Sequence, residues 1–193
     1  MIRKTLSAML FLMLVGCSSN ETTEQNKPLS GDASAKTSST LSEGKESLFT
    51  LKAIDGKEFH IDQIPGGLTF HELKEKVVIF VFFGHKCPPC LNEIPRLIEL
   101  TNQQKSDLAV IGFEVQGLTA QELQTFGNNK GINYPLIAKD NHGEFLQYII
   151  KHSGWTGSIP FIMAFDKTGT ALVVHVGELR MEDLQKIYTE LSK

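Results

Sequence analysis

A mixed α/β sheet flanked by helices and preceded by a β-hairpin is the fold class that this sequence predicts for residues 48–193, and three observations carry it. Val77–Phe83 (VVIFVFF) is an unbroken β-branched and aromatic run, which suits a central strand covered on both faces and so needs cover on each side of the sheet. Segments with helical periodicity alternate with further apolar strands through the middle of the chain, the pattern of a layered α/β domain. Paired strand-turn-strand signals stand near both ends.

In order along the chain, Leu48–Ile54 and Lys57–Ile61 flank Asp55-Gly56, a dipeptide that supplies the positive φ angles of a tight two-residue hairpin turn. The central run Val77–Phe83 follows Pro65-Gly66-Gly67. Cys90–Gln104 places Leu91, Ile94, Leu97, Ile98 and Leu100 at helical spacing, with Pro95 inside predicting a kink. Leu108–Val115 (LAVIGFEV) reads as a second buried strand, and Thr119-Ala120-Gln121-Glu122 matches a capping box that opens a helix near Thr119–Phe126. Tyr134–Ala138 is a third strand and Gly143–Lys151 a helix. Phe161–Phe165, the turn Asp166–Gly169 and Leu172–Val176 make a second hairpin, and an amphipathic helix covers Met181–Leu191.

The residues before this domain read differently. Arg3 and Lys4 precede an apolar run, Leu6–Val15, about half as long as the roughly 20 residues that span a bilayer, so a secretory signal is predicted over residues 1–16. Leu14-Val15-Gly16-Cys17 resembles the lipobox of bacterial lipoproteins, which makes Cys17 the acylated anchor rather than a reactive thiol. Ser18–Ser47 is rich in Ser, Thr, Glu, Lys and Gly with almost nothing to bury, so residues 17–47 are predicted to be a lipidated, disordered tether with a reach of about 30 Å. Ser18 rather than Asp follows the cysteine, which in signals of this type points to the outer membrane of a Gram-negative envelope rather than the inner one. Across all 193 residues the net charge is -3, with 22 acidic against 19 basic side chains, so no basic surplus exists to neutralise phosphates and no nucleic-acid partner is predicted.

The chemistry concentrates where the central strand ends. Gly84-His85-Lys86 leads into Cys87-Pro88-Pro89-Cys90, and a helix starts at once. A cysteine at a helix N-terminus meets unpaired N–H groups and the positive end of the dipole, which favour a thiolate; Lys86, and His85 when protonated, act in the same direction. Cys87 is therefore the exposed nucleophile, and Cys90, one helical turn on, lies within reach of a short disulfide. A structural zinc site would need two further ligands, yet no third cysteine remains once Cys17 is acylated, and among the histidines only His85 is local. A static disulfide would not call for a strand-to-helix junction. Neither a cofactor nor a metal is predicted; Trp155 and Phe161, on either side of Ser158-Ile159-Pro160, stand where a peptide groove could run.

The stretch Phe82–Cys90 resembles the active site of the thioredoxin superfamily and, within it, the TlpA/ResA-like membrane-tethered thiol-disulfide oxidoreductases. Pro95 matches the proline that kinks that family's active-site helix, Ser158-Ile159-Pro160 its cis-proline loop, and Gly117–His152 its extra strand-helix insertion. The resemblance implies a thioredoxin-like mixed sheet with a central strand-helix insertion, and a docking edge formed by Ile159, Lys86 and Trp155 around Pro160. It also implies that Glu93 is a buried carboxylate serving Cys90. The family usually places tryptophan where Lys86 stands, a departure that favours acidic partners. The implied partners are disulfide-containing envelope proteins, apocytochrome c among them, and a membrane thiol protein that restores the dithiol. Two other chemistries are open to the same residues: a thiol peroxidase, against which Gly84 stands at the position peroxidases usually give to threonine, and a copper-binding module built from Cys87, Cys90 and His85.

Overall fold

The computed structural model describes residues 48–193; the predicted signal, Cys17 and the tether lie outside the described residues. The first strands are β1 (Phe49–Lys52), β2 (Glu58–Ile64) and β3 (Gly67–Phe70), followed by β4 (Val77–Phe83), α1 (Pro88–Gln103), β5 (Leu108–Glu114) and α2 (Ala120–Lys130). Then come β6 (Leu136–Ile137), a short 3-10 turn, α3 (Gly143–Ser153), β7 (Phe161–Phe165), β8 (Ala171–Val176) and α4 (Met181–Leu191).

Five strands form one sheet in the order β6-β5-β4-β7-β8, with β4, β5 and β6 parallel and β7 and β8 antiparallel. The all-apolar β4 is its centre, and the alternation of strand side chains divides it between two cores. Val77, Ile79, Val81 and Phe83 meet Leu97 and Leu100 of α1, Leu123 of α2 and Leu184 of α4. Val78, Phe80 and Phe82 face the other way, toward Phe145 and Ile149 of α3 and Leu51, Phe59 and Phe70 of the N-terminal strands. Phe80 anchors that second core, with Phe70, Phe113, Phe145 and Phe165 all edge-on around it.

The N-terminal hairpin is the base of a three-stranded antiparallel sheet, β1-β2-β3. The third strand, Gly67–Phe70, is too short and too glycine-flanked to show in sequence; tertiary contact holds it, since Leu68 donates to the Gly169 carbonyl and Ala171 to that of Gly66. The first turn also departs from a two-residue hairpin. The loop is Ala53–Lys57, closed by Ala53 N–H on the Lys57 carbonyl at 2.8 Å, and only Gly56 has positive φ. The third parallel strand shrinks to Leu136–Ile137, because it pairs with β5 only at Gly112 and Phe113.

The capping box opening α2 is formed as the sequence predicts: Thr119 Oγ1 accepts from Glu122 N–H at 3.3 Å while the Glu122 carboxylate accepts from Thr119 N–H at 2.9 Å. Thr119→Ala removes one half of this exchange and is expected to cost about 1 kcal/mol. The measurement is a urea midpoint at unchanged slope; an unmoved midpoint would show that the box stabilises nothing.

Candidate active site

β4 carries the chain out of the core at Phe83, and α1 begins after four intervening residues, so the loop is short and tied down at several points. Gly84 leaves room for the Gln116 side chain, which a Cβ there would meet at 2.2 Å, and Gln116 Oε1 in turn accepts from Lys86 N–H at 2.8 Å. Cys87 is the N-cap of α1: its sulfur accepts from Cys90 N–H at 3.3 Å, and Pro88 and Pro89 fill the first turn, where the missing donors would have no partner anyway.

Cys87 and Cys90 form a disulfide with Cα atoms 5.2 Å apart. Cys87 was expected to be exposed, but it is 7% exposed against 1% for Cys90. The reason lies in the loop before β7, where the Ile159–Pro160 bond is cis and the Ile159 carbonyl oxygen lies 3.8 Å from Cys87 Sγ, roofing the sulfur. The Ile159 carbonyl thus meets Cys87 across 72 positions of chain, with Pro160 next to it in the loop, and Lys86 is exposed.

Trp155 stands elsewhere than a docking groove requires. It is buried, stacks on Phe161 at 4.7 Å between centroids, and donates its indole N–H to the Ser158 carbonyl at 2.7 Å. It therefore supports the Ile159 loop from beneath; a large ring whose N–H finds a local acceptor gains more from burial than from water.

Glu93, one turn after Cys90, is 1% exposed. One carboxylate oxygen accepts from Leu179 N–H at 2.8 Å and the other has no partner. Burial pushes its carboxyl up to about 7; the Leu179 N–H works against that, Glu178 adds to it and Arg96 opposes it. Arg96 itself is paired with Glu178 at 2.6 Å, which blunts its pull on Glu93.

The residue that sequence reading passed over is Glu114, fully buried at the end of β5. Burial opposes its charge, but the His85 ring N–H and the backbone N–H groups of Leu118, Gly117 and Gln116 outweigh it and hold the carboxyl below the usual range. A lone acid in the otherwise apolar run Leu108–Val115 is the signal that could have found it. Among the described residues no group of three or more His, Cys, Asp and Glu is arranged to hold a metal ion, and Nδ1 of His85 is occupied by Glu114 at 2.9 Å.

A redox-capable cysteine pair capping the helix after a central strand, roofed by a cis-proline loop, is a thioredoxin-type site, and the comparison with known proteins places it further. Residues 47–173 match the AhpC/TSA family. The chain belongs to the AhpC/TSA family. The thiol-disulfide oxidoreductase ResA of Bacillus thuringiensis is 30% identical over 147 residues, which cover 74% of each chain. The thioredoxin-like protein YneN of Bacillus subtilis is 23% identical and spans 96% of this chain and 97% of its own. Among solved structures, a thiol:disulfide interchange protein from Chlorobium tepidum superposes with a TM-score of 0.60 at 25% identity, covering 75% of this chain and 93% of that one. StoA from Bacillus subtilis shares the fold, with a TM-score of 0.55 at 20% identity over 72% of this chain and 94% of its own. This AhpC/TSA member is a thiol-disulfide oxidoreductase of the ResA type, with a thioredoxin-like fold.

Proposed function

We propose that this protein is a lipid-anchored envelope oxidoreductase that reduces disulfides in exported proteins through Cys87 and Cys90. The observation that supports it most is the Cys87–Cys90 pair at the N-terminus of α1, with the Ile159 carbonyl against Cys87 and the Glu93 carboxyl, one of its oxygens without a partner, one turn beyond Cys90.

In the reductive direction the Cys87 thiolate attacks one sulfur of a substrate disulfide. That S–S bond breaks, the leaving substrate thiolate takes a proton from solvent, and Cys87 is left in a mixed disulfide. Glu93, as its carboxylate, accepts the Cys90 proton, and the Cys90 thiolate then attacks Cys87 Sγ. The substrate leaves with both sulfurs reduced and the electron pair comes from the Cys87–Cys90 dithiol, now a disulfide. A membrane thiol protein regenerates it by the same exchange. The substrate segment docks against Ile159 and Pro160, with Lys86 on the rim favouring acidic chains. Apocytochrome c is one substrate of the required kind, a cysteine-bearing polypeptide outside the cytoplasm. The ResA name of the relatives and the exported, lipobox-bearing N-terminus support this setting. In a Gram-negative envelope Ser18 directs the anchored protein to the outer membrane.

The reduction potential of the Cys87–Cys90 couple tests the direction. A value near the roughly −270 mV of thioredoxin fits a reductase, whereas one near the roughly −120 mV of a dedicated oxidant would reverse the assignment. Peroxide turnover exceeding insulin-disulfide reduction would favour a peroxidase instead. The anchor has its own test: Cys17→Ser is expected to move the protein from the membrane to the soluble fraction with disulfide exchange intact, and soluble wild-type protein would refute lipidation.

A further inference from the structure

Glu114 is built around its charge. Oε1 accepts from His85 Nδ1 at 2.9 Å, from the His85 backbone N–H at 3.4 Å and from Gln116 N–H at 3.1 Å. Oε2 accepts from Gly117 and Leu118 N–H, each at 2.8 Å. A fully buried carboxylate with this many donors is an anion, so the proton between it and His85 sits on Nδ1 and the ring presents Nε2 to the remaining surroundings. His85 cannot swing away, because ring and backbone are both held by one oxygen. Its loop ends on the nucleophile: Cys87 N–H donates to the Gly84 carbonyl at 3.2 Å.

We propose that Glu114 and His85 form a positioning dyad that sets how readily the Cys87 thiol ionises in the reduced protein. When Nε2 also carries a proton, the imidazolium lies two residues before Cys87 and adds its charge to the field of the α1 N-terminus, while Glu114 supplies the counter-charge that makes a cation tolerable in a site only 18% exposed. The two buried carboxylates then divide the work. Glu93, with a bare oxygen, handles the proton of Cys90; Glu114, saturated with donors that hold its carboxyl below the usual range, acts on Cys87 through His85. The other charged groups around His85 are Lys86 on its own loop, Glu122 on α2, and Lys139, whose side chain lies 3.9 Å from where a Gly117 Cβ would stand. His142 stands behind the dyad, donating Nε2–H to the Glu114 carbonyl at 2.9 Å. Lys86 is exposed and its influence is screened by salt; the dyad is not.

This inference rests on Cys87 being the nucleophile, and the experiment separates the two. In the full chain carrying Cys90→Ser, the rate of Cys87 alkylation by iodoacetamide is followed against pH by peptide mass spectrometry, alone and with His85→Asn, Glu114→Gln or Lys86→Ala. His85→Asn is expected to raise the pH midpoint by about one unit, a tenfold lower thiolate fraction below it, and to do so equally in about 1 M salt, where the screening length is roughly 3 Å. Glu114→Gln shifts it the same way, and the Lys86→Ala effect vanishes in salt. With Cys90 restored, the tenfold change appears as a potential lower by about 30 mV. If Glu114→Gln does not fold, His85→Asn decides, because it leaves the four backbone donors on Glu114 in place. An unmoved or lowered midpoint in folded His85→Asn overturns the dyad. Failure of Cys90→Ser to trap substrate through Cys87 overturns the functional reading along with it.

Discussion

Cys90→Ser is expected to turn the protein from a catalyst into a trap that accumulates mixed disulfides with its substrates, whereas Cys87→Ser traps nothing and loses insulin-disulfide reduction by roughly a thousandfold or more, as when a nucleophile is removed. The asymmetry follows from position. Cys87 caps α1, receives the Cys90 N–H and retains the larger exposure, 7% against 1%, so an incoming disulfide reaches it first. Cys90, 1% exposed, is shut off from an incoming disulfide and has Cys87 as its disulfide partner. A serine hydroxyl at residue 90 is too weak a nucleophile to release the substrate, and the mixed disulfide persists. Non-reducing gels of envelope proteins, with the adducts mapped by mass spectrometry, give the answer. Adducts on the Cys87→Ser protein in place of the other would exchange the two roles.

Glu93→Gln is expected to abolish a pH dependence of stability worth about 3 kcal/mol in the oxidised protein. Burial, only partly offset by the Leu179 N–H, pushes the folded carboxyl up to about 7 from its ordinary 4.5. Below pH 4.5 both folded and unfolded forms hold the proton and the native state keeps its full stability. Between 4.5 and about 7 the unfolded chain releases the proton while the native one retains it, so stability falls as pH rises, and above about 7 the loss is complete. Carboxylates such as Glu114 and Asp166 shift the opposite way and contribute to both proteins, so the quantity to measure is the difference between wild type and Glu93→Gln in chemical denaturation across this range. A constant difference would mean that the Glu93 carboxyl titrates alike folded and unfolded. On the proposed role of Glu93 as acceptor of the Cys90 proton, the same substitution slows release of trapped substrate in single-turnover experiments and removes its inflection near neutrality.

Much of this protein is determined by local chemistry that a sequence carries openly. An all-apolar heptad such as Val77–Phe83 can be nothing but a strand buried on both faces, and it is the centre of the sheet. The spacing Cys87–Cys90 at the start of a helix determines which sulfur caps and which follows, and the Thr119–Glu122 box determines where α2 opens. These are interactions within one turn or one strand, so periodicity and spacing suffice to read them.

The tertiary structure decided what depends on distant residues. Strand β3 pairs with β2 across the tight turn at Pro65-Gly66, and it is held from the other side because Leu68 and Gly66 bond to Gly169 and Ala171, roughly a hundred residues away, a pairing no local pattern encodes. Trp155 turned inward because the Ser158 carbonyl and the Phe161 ring were within its reach. Cys87 lost its expected exposure to the Ile159 carbonyl, and Glu114 gained its importance only when folding brought the end of β5 beside His85, 29 positions earlier in the chain. In each case the energy of a buried polar or aromatic group is set by the partner it finds after the chain has folded, and a buried carboxylate differs from a solvated one only through those partners. Glu93 and Glu114 make the point within one molecule: two glutamates, both shut off from solvent, one driven toward its acid by burial with a single N–H donor and the other held as an anion by a ring of N–H groups.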